Sequence, residues 1–396
     1  MSDAILVLNA GSSSLKFSGY AAEGKELSLI VRGQIEGVGT APRFKAKDPQ
    51  GRPLADLSPD MPAGGAFGHP EAFAFLVRWL MEHYRGSVRL LGIGHRMAHG
   101  GADFIEPTLI DADVIGRLEK LIPLVPLHQP HNLAAVKAVT NLRPELPQVA
   151  CFDTAFHQGR ARVTERFGLP DELFQKGVRR WGFHGLSYDS IARSFRRVAP
   201  RAVAEGRVVA AHLGSGASLC AMRNGRCVDT TMSFSALDGI PMGTRCGCLD
   251  PGVMLFLLRE GWTADRLENL LYKQSGLLGI SGVSNDVRDL LASDAPRAAE
   301  AIDYFVYRIV REIGSLAAAL GGLDALIFTA GVGENSPVIR GRVCAGLGWL
   351  GAAVDDHSNA RNLTCISPEG RTPSVWVIPT DEEGVIAAHT IAAVRR

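Results

Sequence analysis

Hydrophobic and polar positions along the chain follow two rhythms. Residues 4–8 (AILVL) form an unbroken apolar run that stops at Asn9. After Ala10-Gly11-Ser12-Ser13-Ser14, residues 15–20 alternate. Two strands joined by a small-residue turn are predicted. Residues 21–68 are polar and rich in Gly and Pro, with short strands expected at 28–35 and 43–46. Over 71–84, Phe73, Leu76, Val77, Leu80, Met81 and Tyr84 share one helical face. A strand then runs into the glycine-rich segment HRMAHGG (95–101), and a helix is expected at about 132–142. A short strand ends at Asp153, and a helix capped near Ser187 follows GFHG (182–185). Further on come a long amphipathic helix (298–320), an apolar strand leading into GVGENS (331–336), and a strand at 375–378. The segment PTDEE (379–383) then leads into a terminal helix, 383–394.

The opening pattern recurs. Residues 208–220 (VVAAHLGSGASLC) repeat the order of apolar run, polar residue, Gly/Ser turn and second strand, with nearly the spacing of residues 6–17. Two copies about 200 residues apart point to a duplicated pair of domains and not a solenoid. The expected division is 1–150 with 381–396, and 151–380. An α/β class follows, because apolar strands alternate with helical patterns.

Composition narrows the possible partners. The 42 Lys and Arg residues against 41 Asp and Glu leave a net charge of +1, so neither a nucleic acid nor an anionic membrane is an expected partner. No apolar stretch reaches the ~20 residues of a membrane span. No secretory signal is expected at the N-terminus. The seven cysteines are an odd number, and reduced thiols in the cytoplasm are the expectation.

The candidate chemistry clusters at predicted strand ends. Backbone N–H groups, the hydroxyls of Ser12 and Ser14, and Lys16 make the first hairpin a candidate phosphate cradle. His212, Leu213, Gly214, Ser215 and Gly216 make the second. Arg96 and Arg245 are always-charged forks suited to carboxylates and phosphates. Asp153 ends an apolar strand, where open α/β sheets place their chemistry. His128, His184 and the loop 229–251 complete the set. GVG (331–333) after a strand is a candidate adenosine-binding turn.

Taken in order, NAGSSSLKF, HRMAHGG, FDTAFH, GFHG, HLGSGAS, MGTRCG, GVGENS and PTDEE resemble the acetokinase family (acetate, propionate and butyrate kinases) over residues 4–390. The resemblance implies two duplicated domains of the sugar kinase/Hsp70/actin (ribonuclease H-like) superfamily with an interdomain cleft. It implies reversible transfer of a phosphoryl group from ATP to acetate, with Mg2+ (or Mn2+), in a cytoplasmic homodimer. It places Asn9 and Glu382 at the metal, and Arg96, Asp153, His184 and Arg245 among the catalytic groups. Arg96, Ala98, Leu127, His128 and Phe183 line the acyl substrate. Ser12, Ser14, Lys16 and His212 to Gly216 contact the phosphates. Asp286, Val287, Arg288, Gly331, Val332, Gly333, Glu334 and Asn335 contact the nucleotide. A carboxylate is already a competent nucleophile, so the cations serve to offset repulsion between two anions.

Four positions depart from the family pattern: Ser215, Cys248, Asp381 and Ala98. The small Ala98 suggests an enlarged acyl pocket, hence a propionate (or butyrate) kinase as the alternative. A nucleotide-gated binding module is the alternative of a different class, but such a module has no use for Arg96, Asp153, His184 and Arg245.

Overall fold

A computed structural model describes residues 2–24, 26–61 and 67–396. The chain divides into two compact units, Met1–Ala155 with Asp381–Arg396, and Phe156–Thr380.

In the first unit the strands are β1 (Ser2–Ala10), β2 (Ser14–Glu23), β3 (Glu26–Glu36), β4 (Arg43–Lys47), β5 (Pro53–Leu57), β6 (Val88–Met97), β7 (Thr108–Leu109) and β8 (Gln148–Phe152). They form one sheet in the order β5-β4-β3-β2-β1-β6-β8-β7. The hairpins β1 to β5 are antiparallel, while β6 runs parallel to β1 and β8 parallel to β6. Central β1 is apolar throughout because both of its faces are covered. On one side, Leu6, Leu8, Phe17 and Phe44 pack with Phe73 and Leu76 of helix His69–His83 and with Val139 of helix Gln129–Leu142. On the other side lies the terminal helix Glu382–Val394, which packs on β6 and β1. It sits so close that a Cβ at Gly94 would come 2.6 Å from Ile386 Cγ2.

In the second unit, β9 (Arg207–Leu213), β10 (Ala217–Arg223), β11 (Arg226–Thr230), β12 (Ala325–Thr329) and β13 (Ser374–Val377) form a sheet in the order β11-β10-β9-β12-β13. Here too the first three strands are antiparallel and the last two parallel. The run β3-β2-β1-β6-β8 of the first sheet has the same order and directions. Helix Gly185–Val198 covers one face with Tyr188, Ile191 and Phe195. Helix Pro296–Leu320 packs on β9, β10 and β11.

Several elements differ from the sequence expectation. β5 was not anticipated, because PLADL lacks strand-forming residues. Met81 is 60% exposed, since the buried residues of helix His69–His83 (His69, Ala72, Phe73 and Leu76) all lie in its N-terminal half. Residues 151–155 belong with the first unit and not the second, because β8 hydrogen-bonds to β6. The helix after GFHG starts at Gly185, with His184 and not Ser187 at its cap position. Residues Ala330–Asn335 form a short helix instead of an open turn.

Candidate functional site

In the first unit the polar residues gather at the ends of β1, β6 and β8. Arg96 Nη2 and Nε donate to Asp153 Oδ2 at 2.6 and 3.1 Å, and Nη1 reaches Asn9 Oδ1 at 3.4 Å. Asp153 is buried, and its Oδ1 has no hydrogen-bond partner among the described residues. The Asp153 charge, reinforced by Glu382 and Glu383, holds the Arg96 guanidinium above its ordinary range. Glu382 is pushed up to about 7 by burial. Asp153 and Glu383 add to that rise, and Arg96 and Lys16 oppose it. Glu382 does not cap its helix. Asp381 does, accepting from Gly384 N at 2.9 Å. Asn9, Asp153 and Glu382 therefore stand around Arg96, and with Glu383 three carboxylates face two cations, Arg96 and Lys16.

The first hairpin is pinned from behind. Gly11 N donates to Ser14 O at 2.8 Å, Val38 N to Ser13 O at 3.0 Å, and His69 Nε2 to Gly11 O at 2.8 Å. Ser12 and Lys16 are left exposed and Ser14 partly so. Ala98 is buried, and its N–H donates to Asn132 Oδ1 at 3.1 Å. Asn132 Nδ2 donates onward to Ala10 O at 2.8 Å. Asn132 thus ties the ends of β1 and β6, a role that its place at the start of the helix expected at 132–142 did not reveal. Leu127 and His128 are partly buried, and the His128 carbonyl receives the first N–H groups of helix Gln129–Leu142.

In the second unit, His184 and His212 stack with ring centroids 4.3 Å apart. His184 Nδ1 and Ser218 Oγ are 2.8 Å apart, and Ser218 Oγ meets Tyr188 Oη at 2.5 Å. His212 Nδ1 and Ser187 Oγ are 2.8 Å apart, and Ser187 also meets Thr380 Oγ1 at 2.8 Å. Both rings are therefore held through Nδ1. His184 adopts φ 59°, a left-handed conformation sparsely populated by residues with a Cβ. Its preceding loop is clamped by His157 Nε2, which donates to Phe183 O at 2.8 Å.

The hairpin Leu213–Ala217 is one residue tighter than its counterpart: Gly214 N donates to Gly216 O at 3.1 Å. Ser215 is exposed at its tip. A Cβ on Gly216 would lie 3.2 Å from His184 Nε2 and 3.7 Å from Arg245 Nη1, so the hairpin, the histidine and the arginine form one cluster. Arg245 Nη1 donates to Ala236 O at 3.1 Å. Its irregular loop is fixed by Ser275 N to Thr244 O and Leu277 N to Met242 O.

The remaining candidates divide. Asp286 caps helix Val287–Leu291 and pairs with Arg288 at 2.6 Å; that arginine is 89% exposed, whereas Val287 is buried. Gly331 and Asn335 are exposed, Val332 is half-buried and Gly333 is buried. Glu334 turns inward, taking Ala330 N–H at 2.7 Å and Thr380 N–H at 3.2 Å. It joins the ends of β12 and β13. Arg340, fully buried, donates to Gly333 O and Glu334 O, both at 2.9 Å, and so fixes this turn. Its only signal in the sequence is that it is one of two arginines, with Arg342, in an otherwise apolar segment.

Comparison with known proteins assigns the lineage. The profile of the acetokinase family matches residues 4–388. The chain belongs to the acetokinase family. Acetate kinase of Rhodopseudomonas palustris is 52% identical over 394 residues, covering 98% of each chain. Acetate kinase of Rhizobium meliloti is 50% identical over 393 residues, covering 99% of this chain and 98% of that one. Among solved structures, acetate kinase of Porphyromonas gingivalis superposes with TM-score 0.88 at 36% identity, covering all of both chains. A propionate kinase of Francisella tularensis superposes with TM-score 0.90 at 34% identity, covering 99% of this chain and all of that one. The fold of this acetokinase is the duplicated α/β fold of the sugar kinase/Hsp70/actin superfamily.

Proposed function

We infer that this acetokinase is an acetate kinase. It transfers the terminal phosphoryl group of ATP to acetate, giving acetyl phosphate and ADP, and runs the reverse reaction on the same groups. The observation that carries this is full-length identity of about half to proteins named acetate kinase, on a chain whose Arg96, Asp153 and His184 are held in place. The propionate reading drawn from Ala98 is not favoured, since identity to the propionate kinase is lower, at 34%. The binding-module alternative falls with it.

We propose the following roles. Arg96 spends Nε and Nη2 on Asp153, which leaves Nη1, held loosely by Asn9, to meet the acetate carboxylate. Arg245 and His184 stabilise charge on the transferring phosphoryl group. Asp153 orients Arg96 and is not a base, because acetate has no proton to lose. Asn9, Asp153 and Glu382 are hard oxygen donors, and the unpartnered Asp153 Oδ1 and the surplus of carboxylate fit Mg2+. The bound cation would supply positive charge to phosphate oxygens.

A cytoplasmic location accords with Cys220 and Cys227 remaining thiols at 3.5 Å, and no described helix is long and apolar enough to cross a membrane. A homodimer accords with helix Pro251–Arg259, none of whose residues is buried although most are apolar.

Trapping acetyl phosphate as its hydroxamate tests the reaction. Wild type is expected to form it from acetate, ATP and Mg2+. Arg96→Ala and Arg245→Ala are each expected to lose about 10³-fold in kcat or more, with unchanged circular dichroism. Near-normal turnover in either variant would remove that arginine from the mechanism, and no hydroxamate from wild type would overturn the function.

A further inference from the structure

Three ligating side chains that none of these steps uses lie together in the second unit. His157 follows β8, Cys220 lies on β10 and Cys227 on β11, and their ligand atoms are all within 4.8 Å of one another. The two sulfurs are 3.5 Å apart, and His157 Nδ1 is 3.1 Å from Cys227 Sγ. His157 and Cys220 are fully enclosed, whereas Cys227 retains 9% exposure. A tetrahedral centre with bonds of about 2.3 Å to sulfur separates its ligand atoms by roughly 3.7 Å. The trio is thus nearly at ligating distance already.

The surroundings are those of a ligand set. His157 donates through Nε2 to the Phe183 carbonyl at 2.8 Å, so Nδ1 faces the sulfurs. A hydrogen bond of this kind from the far ring nitrogen orients metal-binding imidazoles. The ring cannot swing, because it lies against the backbone of Gly182: a Cβ there would come 2.6 Å from His157 Cγ. Arg160 Nη1 is buried, 3.9 Å from Asp229 Oδ1, with no hydrogen-bond partner among the described residues. Its charge is available to balance thiolate. Access is through β11, the edge strand of its sheet, where local opening costs least.

We propose that His157 Nδ1, Cys220 Sγ and Cys227 Sγ form a buried three-ligand binding site for one thiophilic d10 cation. Zn2+ and Cu+ share this chemistry. Binding deprotonates the thiols and uses the Nδ1 lone pair, so loading releases protons to solvent and changes no oxidation state. Through Phe183, the ion would also stiffen the loop that carries His184.

Co2+ is the probe, added to reduced full-length protein in which the other accessible thiols are removed (Cys246→Ser, Cys248→Ser, Cys365→Ser). One equivalent is expected to give a thiolate-to-cobalt charge-transfer band. The band should vanish in Cys220→Ser and in Cys227→Ser, and weaken in His157→Gln, with folding checked by circular dichroism. Cys227→Ser sits on the edge strand and keeps the test valid if Cys220→Ser fails to fold. Displacement of Co2+ by Zn2+, or loading with Cu+ against a chromophoric chelator, identifies the preferred ion. A folded protein that gives no band with Co2+ and takes up neither Zn2+ nor Cu+ overturns the proposal. So does a band that survives Cys227→Ser.

Discussion

Gly216 shows how much depends on a single missing methyl group. The hairpin passes so close to His184 that a Cβ would sit 3.2 Å from Nε2, tighter than ordinary packing, and 3.7 Å from Arg245 Nη1. Gly216→Ala pushes on His184, one of the two groups proposed to stabilise the transferring phosphoryl, and comes into ordinary contact with the other, Arg245. Kinetics should show kcat falling by up to ~10²-fold, the loss that a misplacement of about 1 Å can cause, with KM for acetate much less affected and the melting temperature nearly unchanged. Equal loss in kcat and in thermal stability would instead mark the glycine as a folding requirement. Ser218 and Tyr188 belong to the same argument, since they fix the His184 ring; Ser218 ends the HLGSGAS motif, whereas Tyr188 carried none.

At the level of elements, the first unit is laced by a buried polar chain. His95 on β6 meets Gln148 Oε1 on β8 at 2.8 Å, and Gln148 Nε2 donates to Thr140 of helix Gln129–Leu142 at 2.9 Å. Burial lowers the His95 pKa from 6.5 to about 4, with the Gln148 hydrogen bond opposing the fall. The folded state therefore keeps the ring neutral while the unfolded chain protonates first. Between about 4 and 6.5 the unfolded state binds more protons, so stability falls as pH falls through that window and is retained above it. The full effect is on the order of 3 kcal/mol. Urea unfolding at pH 7 and pH 4.5 should show a larger acid loss in wild type than in His95→Gln. Identical losses would rule His95 out as the cause.

At the level of the molecule, duplication explains the placement of the candidates. Each sheet has an antiparallel hairpin leading into two parallel strands, so Asn9 and His212 both stand at the end of a first strand, just before a Gly/Ser turn. The second unit also carries an exposed apolar helix, Pro251–Arg259. Leu255 is 53% and Phe256 59% exposed on helix Pro251–Arg259, more apolar surface than isolated exposed residues require. Light scattering is expected to find a dimer, and Phe256→Asp is expected to shift it to monomer with kcat per chain retained. A wild-type monomer would refute the dimer, and a variant that stays dimeric would place the interface elsewhere.

What the amino-acid order determined by itself was periodic or local. The apolar runs of β1, β6, β8, β9 and β12, the repeated Gly/Ser turn, and the motifs around Arg96, Asp153, His184 and Arg245 are all read from neighbours in sequence. Periodicity and turn chemistry act over a few residues, and a motif survives without its partners. Tertiary structure alone decided which side chains meet. It paired Arg96 with Asp153, set Asn132 between β1 and β6, and turned Glu334 inward to bind the ends of two strands. It also buried Arg340 beneath the GVGENS turn and brought His157 to Cys220 and Cys227. Several of those contacts span tens of residues, and Asn132 to Ala10 spans 122; composition or spacing carries no record of them. They follow from sheet order and close packing, through which a side chain's neighbours are chosen by the whole fold.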